Sequence, residues 1–276
     1  MENIKFSVLM SVYYKEKTKY LKEALDSIIN QTLKPNEIVL VEDGILTDEL
    51  EDLVIYYENK YSFIKVIRLT QNVGLGKALN EGLKYCNFEY VARMDSDDIS
   101  DYKRFEKQVE FLRKNKQCDV VGGNIIEFDD VSGKDISFRT VPLACQKIKN
   151  YSQKRNPMNH VTVMFKKKSV ENVGGYLDCP YFEDYYLWIR MICANNYLEN
   201  IPEILVRVRA GLNMTNRRGN LNYIKSIIDF ENRLLKRKYI NIFTYIYNIT
   251  IRSIVSLLPN KLRYYIYQKK LRDKYH

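Results

Sequence analysis

Three carboxylates fall within four residues at Asp95-Ser96-Asp97-Asp98, directly after the strand-like run Tyr90-Val91-Ala92-Arg93-Met94. Like charges this close repel one another unless a cation or solvent offsets them. Carboxylate oxygens are hard ligands, suited to a Mg²⁺ or Mn²⁺ ion that also holds a phosphate. Two readings follow from these residues alone. One is a metal–diphosphate site at the carboxyl end of a sheet strand. The other is an acidic turn that N-caps the next helix.

The surrounding pattern supplies a scaffold for such a site. Phe6-Ser7-Val8-Leu9-Met10-Ser11-Val12 is nearly all apolar and suits a strand buried on both faces. Leu21, Ala24, Leu25, Ile28 and Ile29 recur at helical spacing between Lys19 and Gln31, and Pro35 stops that helix. A strand from Glu37 to Val41, a helix from Thr47 to Tyr61 and a strand from Phe63 to Leu69 follow. A helix from Gly74 to Tyr85 then precedes the strand from Tyr90 to Met94. This β-α-β-α-β-α-β rhythm predicts an α/β fold with a mostly parallel sheet and right-handed crossovers. Ligands in such sheets bind beyond the carboxyl ends of the strands. Tyr13, Glu42/Asp43, Asn72 and Asp95/Asp97 stand at those ends and are expected to converge on one crevice.

Further along, the pattern predicts a helix from Asp101 to Asn115 and a strand from Cys118 to Phe128. Loops are expected over 132–155, a short strand over Val161 to Phe165, a helix from Glu183 to Asn195 and a strand from Ile204 to Val208. A Gly/Asn/Arg-rich loop from Arg209 to Gly219 leads into a wholly helical end.

The 276 residues suffice for one large domain, or one domain plus an appendage. Five scattered cysteines, with no C-x-x-C pair, read as free thiols in a reducing compartment and give no zinc framework. The chain begins directly in a strand pattern, which predicts no signal peptide, and it has no run long and apolar enough for a transmembrane helix. The net charge of +10 is concentrated at one end: residues 233–276 hold eleven Lys/Arg and one acid, while the rest sums to zero. A basic end on a neutral body points to a local anionic partner.

The motifs, taken in order, resemble glycosyltransferase family 2 with its GT-A fold, and more narrowly the bacterial capsular and exopolysaccharide enzymes of the amylovoran type. The resemblance rests on Ser7-Val8-Leu9-Met10-Ser11-Val12-Tyr13, Gln31-Thr32, Leu40-Val41-Glu42-Asp43-Gly44, Asn72-Val73-Gly74-Leu75-Gly76-Lys77-Ala78-Leu79-Asn80, Ala92-Arg93-Met94-Asp95-Ser96-Asp97-Asp98, Gly174-Gly175-Tyr176 and Glu183-Asp184-Tyr185-Tyr186-Leu187-Trp188. It covers residues 5 to 218. The chain departs from the family pattern at Glu42, where Asp is usual, and at Tyr14, where Asn is frequent.

The resemblance implies a role for each position. Tyr13, Glu42 and Asp43 would hold the base and ribose of a nucleotide-sugar, with Ser11 and Ser96 in the same set. Asn72 and Gly74 open a helix whose free N–H groups favour anions, with Lys77 on its first turn. Arg93 has two open roles, contact with the donor or pairing with the acidic cluster. Asp97 would ligate the metal, Mn²⁺ or Mg²⁺, and Asp95 would contact the ribose or the metal. Asp98 would cap the next helix or support the site from behind the ligands. Asp184 resembles the general base. Glu183 would orient the acceptor, with Trp188 in the same acceptor-binding set. His160, in Asn156-Pro157-Met158-Asn159-His160, either contacts acceptor or phosphate or is a packed loop histidine. Arg207, Arg209, Arg217 and Arg218 are candidates to close over the diphosphate, with a solvated basic loop as the alternative.

These roles imply an inverting, metal-dependent transferase. It would move sugar from a nucleotide diphosphate, UDP by expectation, to a lipid-linked saccharide. The expected domains are a catalytic unit over 1–218, with its nucleotide-sugar half over 1–100 and its acceptor half over 101–218, and a helical, basic-aromatic tail over 219–276. The tail reads as an interfacial element on an anionic bilayer. The alternative is helices packed on the catalytic unit or on a homodimer partner. Nucleic acid is not expected as a partner, because no recognised motif for it appears. The expected location is the cytoplasm, at the inner face of the membrane. Two other functions remain open: a non-catalytic membrane scaffold, and a sugar nucleotidyltransferase. The latter's Gly-rich loop is missing at Tyr13-Tyr14-Lys15-Glu16.

Overall fold

The computed structural model of the chain describes residues 4–210, 219–270 and 273–274. In chain order, the first half comprises β1 (Phe6–Val12), α1 (Thr18–Ile29), β2 (Glu37–Glu42), α2 (Asp48–Lys60), β3 (Ile64–Arg68), α3 (Leu75–Tyr85) and β4 (Tyr90–Asp95). These four strands are parallel and lie in the order β3-β2-β1-β4. Each expected element of this half is present, with ends moved by one or two residues.

The second half comprises β5 (Ile99–Ser100), α4 (Arg104–Lys114), β6 (Val120–Asp129), β7 (Asp135–Arg139), α5 (Cys145–Tyr151), a 3-10 turn (His160–Thr162), β8 (Met164–Lys166), α6 (Lys167–Asn172), α7 (Glu183–Cys193) and β9 (Leu198–Ala210). Antiparallel β8 bridges β4 to β6. Parallel β9 runs the length of β6, and β7 pairs with β6 antiparallel. Two elements lie in the segment expected to be loop, β7 and α5. The strand Asp135-Ile136-Ser137-Phe138-Arg139 alternates polar and apolar residues over only five positions, and its buried residue is the polar Ser137; its ladder to β6 fixes it. The expected strand over Val161 to Phe165 splits. Thr162 turns its hydroxyl to the Gly123 N–H (3.0 Å) and its carbonyl to Gln108 Nε2 (2.8 Å), so only Met164 onward is left to pair.

Two apolar layers sandwich the parallel strands. Phe6, Val8, Met10, Ile38, Leu40, Ala92 and Met94 pack against α1, α2 and α4. Leu9, Val39, Val41 and Val91 pack against α3 and α7, through Ala78, Leu79, Leu83, Leu187, Trp188 and Met191.

Three more helices follow: α8 (Leu221–Lys236), α9 (Ile242–Leu257) and α10 (Asn260–Lys270), and then β10 (Asp273–Lys274), which pairs with β7. The tail was expected from 219, with helices packed on the catalytic unit as one alternative. For α8 that alternative is found: it seats Ile227, Phe230 and Leu234 against Phe182, Tyr185, Tyr186 and Ile189 of the α7 region. The Phe182 and Phe230 rings stack at 4.7 Å between centroids. The hydrophobic effect therefore makes α8 part of the folded body.

Candidate active site

Strand alternation decides which chemical groups share a face. The layer under α3 and α7 takes Leu9, Val39, Val41 and Val91. The same register continues to Ser11, Arg93 and Asp95 at the strand ends. Ser11 stands beside Asp95 across the β1–β4 ladder. Glu42 falls in the opposite register, with Ile38 and Leu40. Its carboxylate lies 3.5 Å from Arg68, which also bonds Glu51 and Glu58. The expected place of Glu42 beside the nucleotide is thus corrected by parity. It belongs to a charge cluster on the α2 side, where burial, against the pull of Arg68, raises its carboxyl to about 7.

Asp43, one residue on, is buried and gathers the loop ahead of α3. Its carboxylate accepts from the Val73 N–H (2.6 Å), the Gly74 N–H (3.1 Å) and Asn72 Nδ2 (3.1 Å). Two of the N–H groups expected to face a phosphate therefore face a protein carboxylate. Gly44 permits this approach: its φ is +86°, and a Cβ there would lie 2.6 Å from the Asn72 nitrogen. Lys77 is exposed on the first turn of α3. Tyr13 is half-buried and edge-on to Tyr14, and its carbonyl accepts from the Glu16 N–H (3.0 Å). That turn brings Glu16 to Ser96, whose hydroxyl donates to Glu16 Oε2 (2.6 Å).

The three carboxylates of Asp95, Asp97 and Asp98 each offer an oxygen within 4.8 Å of the others. Burial first, then Asp95 and Glu16, push the Asp97 carboxyl up to about 7. Burial, then Asp97 and Asp95, raise the Asp98 carboxyl well above the usual carboxylate range. Of the two roles expected of Asp98, it does not cap a helix and stands as a supporting group. It is followed by β5, and its carboxylate accepts from the Arg209 backbone N–H (2.9 Å). That commitment leaves Asp95 and Asp97 as the hard oxygen donors facing the crevice. Two hard carboxylates this close, with one guanidinium between them, fit a divalent metal. Arg93, 2% exposed, donates to the Asp95 carboxylate. Pairing with the cluster is thus the arrangement found.

The facing wall is the start of α7. Glu183 and Asp184 occupy its first turn, where helix N–H groups favour negative charge. Burial lifts Glu183 to about 6. Burial also raises Asp184, against the hydrogen bond from Asn156 Nδ2 (2.7 Å) and the charges of Arg139 and Arg93. Gly76 lets this wall close on α3: a Cβ there would sit 3.3 Å from Glu183 Cγ. The start of α3 joins the two walls: Gly74 bonds Asp43, and Gly76 packs on Glu183.

Other residues have structural posts. His160 Nε2 meets the Tyr176 hydroxyl at 2.9 Å, and burial together with Arg93 holds the imidazole neutral. This is the packed-histidine arrangement. Trp188 is fully buried in the α3/α7 layer, which corrects its assignment as an acceptor platform: no ring face is open to a sugar. Arg207 pairs with Asp135 (2.8 Å). Arg209 pairs with Glu23 and Asp130 and donates to the Asp97 carbonyl (2.6 Å). Both guanidinium groups are engaged by protein oxygens. Arg217 and Arg218 lie outside the described residues.

Sequence reasoning passed over three members of this site. Asn156 holds Asp184, Glu16 adds charge at Asp97, and Asn80 clamps the Gly175-Tyr176 turn through Tyr176 N (2.8 Å) and O (2.6 Å). Asn80 and Asn156 sat inside quoted motifs, but their contacts span 96 and 28 residues.

Comparison with known proteins identifies the family and the fold. The pattern described as glycosyl transferase family 2 matches residues 7–174. Over 268 residues the chain is 38% identical to a UDP-Gal:alpha-D-GlcNAc-diphosphoundecaprenol beta-1,3-galactosyltransferase of Escherichia coli, covering 97% of this chain and 97% of that one. Over 264 residues it is 38% identical to the amylovoran biosynthesis glycosyltransferase AmsE of Erwinia amylovora, covering 96% and 98%. Its fold is similar to that of the mannosyltransferase PcManGT of Pyrobaculum calidifontis, solved with GDP-Man and Mn²⁺. The TM-score is 0.64 at 15% identity, over 94% of this chain and 71% of that one. With the family pattern over residues 7–174 and two relatives 38% identical over nearly the whole chain, the chain belongs to glycosyl transferase family 2.

Proposed function

We propose that the chain transfers a glycosyl group from a nucleotide-diphosphate sugar, UDP-linked, to a hydroxyl of a lipid-linked saccharide, with inversion at the anomeric carbon. The observation that carries this is the carboxylate cluster at the end of β4, with Glu183 and Asp184 in the first turn of α7, where α7 packs on the same α3 start that Asp43 holds. We read Asp184 as the base and the cluster as the place for a metal and a diphosphate. The Escherichia coli relative, a UDP-Gal:alpha-D-GlcNAc-diphosphoundecaprenol beta-1,3-galactosyltransferase, supports the donor and acceptor classes.

Asp184 accepts the proton of the acceptor hydroxyl as that oxygen attacks the anomeric carbon. Attack comes from the side opposite the diphosphate, the carbon–oxygen bond to the diphosphate breaks, and the configuration inverts. Asn156 fixes the carboxylate through its 2.7 Å bond, and Glu183 orients the acceptor. Asp97 and Asp95 would hold Mn²⁺ or Mg²⁺, which when bound supplies positive charge for the departing diphosphate. Ser11, Tyr13, Asp43 and Asn72 bound the nucleotide side, and Lys77 stands ready for a phosphate. Residues up to 100 serve the donor, and those from 101 serve the acceptor. The setting is the inner face of the membrane.

The experiment is a transfer assay over a panel of nucleotide-sugars, paired with thermal shifts with and without Mn²⁺. UDP species with metal should stabilise the chain. Asp184→Asn should retain that shift and lose transfer by about a thousandfold or more, while Asp97→Asn should lose both. Full transfer by either variant would overturn the mechanism.

A further inference from the structure

Helix α9 is amphipathic the wrong way round for a helix facing water. Its inward row is polar: Asn248 and Ser256 are buried, and Arg252 lies between them at helical spacing. Asn248 Nδ2 donates to the Gln153 carbonyl (2.8 Å) and to Glu231 (3.0 Å). Arg252 donates to the Lys154 carbonyl (2.9 Å) and lies 3.5 Å from Glu231, which is fully buried on α8. The outward face is apolar. Ile242, Phe243, Ile246, Tyr247, Ile251, Ile254 and Leu257 are all exposed, Phe243 by 80% and Leu257 by 69%. Thr250 is the one polar residue among the exposed positions of the helix. Phe243, Ile246, Tyr247, Thr250, Ile254 and Leu257 form a single stripe at three- and four-residue steps.

A contiguous apolar stripe of this kind marks a surface that is covered in use. We infer that α9 lies in the plane of an anionic lipid bilayer with this stripe in the acyl boundary, and that the inward polar row rivets the helix to the catalytic body. Charge decides the occupant. No acidic residue occurs between Glu231 and Asp273, whereas Lys236, Arg237 and Lys238 precede the helix and Lys261 follows it. All four are exposed. Exposed Lys154 places its Nζ 5.1 Å from the Tyr247 ring centroid, at the flank of the stripe. Basic residues flanking an apolar face match anionic headgroups. A second copy seated antiparallel on the stripe would bring basic ends against basic ends. The helix has 16 residues, about 24 Å long, short of the ~30 Å hydrocarbon core. It therefore lies on the bilayer, and among the described residues no helix is long and apolar enough to cross it. This inference stands apart from the transfer chemistry.

The test is sedimentation of the full chain with phosphatidylcholine vesicles, with or without phosphatidylglycerol. Binding is expected only where the anionic lipid is present. Phe243→Glu/Ile254→Glu should reduce it by about tenfold or more while leaving the melting temperature and the Mn²⁺–nucleotide thermal shift unchanged. Tyr247→Trp should show blue-shifted emission on vesicles. Undiminished binding by the double variant, or unshifted tryptophan emission on vesicles that bind, would overturn the inference. So would a wild-type dimer in solution that the double variant converts to monomer, which would assign the stripe to a second copy.

Discussion

The Arg209 side chain donates from Nε to the Asp97 carbonyl oxygen at 2.6 Å. Its backbone N–H holds the Asp98 carboxylate at 2.9 Å. The end of β9 thus grips the carboxylate cluster from behind, 112 residues away in sequence. The guanidinium is itself held by Glu23 and Asp130, and it stacks 4.1 Å from the Tyr20 ring centroid.

That grip makes Arg209 a positioning residue. Arg209→Gln is expected to raise the Mn²⁺ concentration for half-maximal transfer by about tenfold and to lower stability by roughly 2–4 kcal/mol, since it strands buried acceptors. Metal titration of activity and chemical denaturation measure the two effects separately. An unchanged metal requirement would reduce Arg209 to a purely structural tie.

Asn156 tunes the base. Its hydrogen bond favours the charged form of Asp184 and so lowers that carboxyl against the rise imposed by burial. Asn156→Ala should move the acidic limb of kcat/KM to higher pH, by about half to one pH unit. A pH–rate profile checks this, and an unmoved limb would remove Asn156 from the mechanism.

Gly44→Ala should displace the loop that holds Asn72. The Cβ would meet the Asn72 nitrogen at 2.6 Å, at a φ of +86°. A stability loss of roughly 1–3 kcal/mol is expected, with weaker binding of the nucleotide. Calorimetric titration of UDP against the folded variant reads the second effect. At Gly74, where a Cβ meets nothing within 4 Å, alanine should cost only backbone strain.

Glu42 supplies a pH signature. Its folded carboxyl is raised to about 7 by burial, with Arg68 opposing and Glu51 and Glu58 adding to the rise. A raised carboxyl gives stability that is present below its ordinary value and lost as pH climbs through the folded value. Glu42→Gln should therefore melt higher than the wild type at pH 8, by roughly 1–3 kcal/mol, with the gap closing near pH 5. Arg68 keeps Glu51 and Glu58 as partners in that variant. A gap independent of pH would show that Glu42 is ionised throughout.

The parallel half of the fold was legible because its strands are buried on both faces and its helices carry apolar residues at helical spacing. Periodicity records exactly that kind of burial. The strand Asp135–Arg139 was passed over: its polar–apolar alternation spans only five residues, and the ladder beside it decides that Ser137 is the buried one. Asp43 and Asp95 could be placed at strand ends from sequence, and the structure finds them there. Their partners could not be named, because Asp43 binds the loop at 72–74 and Asp98 binds residue 209 through chain closure.

The sequence by itself determined the kind of chemistry: clustered carboxylates, their order along the chain, the strands that carry them, and a basic, aromatic end. Local composition and spacing suffice for these. Tertiary structure decided orientation. Strand parity turned Glu42 away from the crevice, packing buried Trp188, and α8 joined the body through Phe230. The inversion of α9 likewise depends on the buried Glu231 behind it, which draws Asn248 and Arg252 inward and leaves Phe243 and Ile254 facing out.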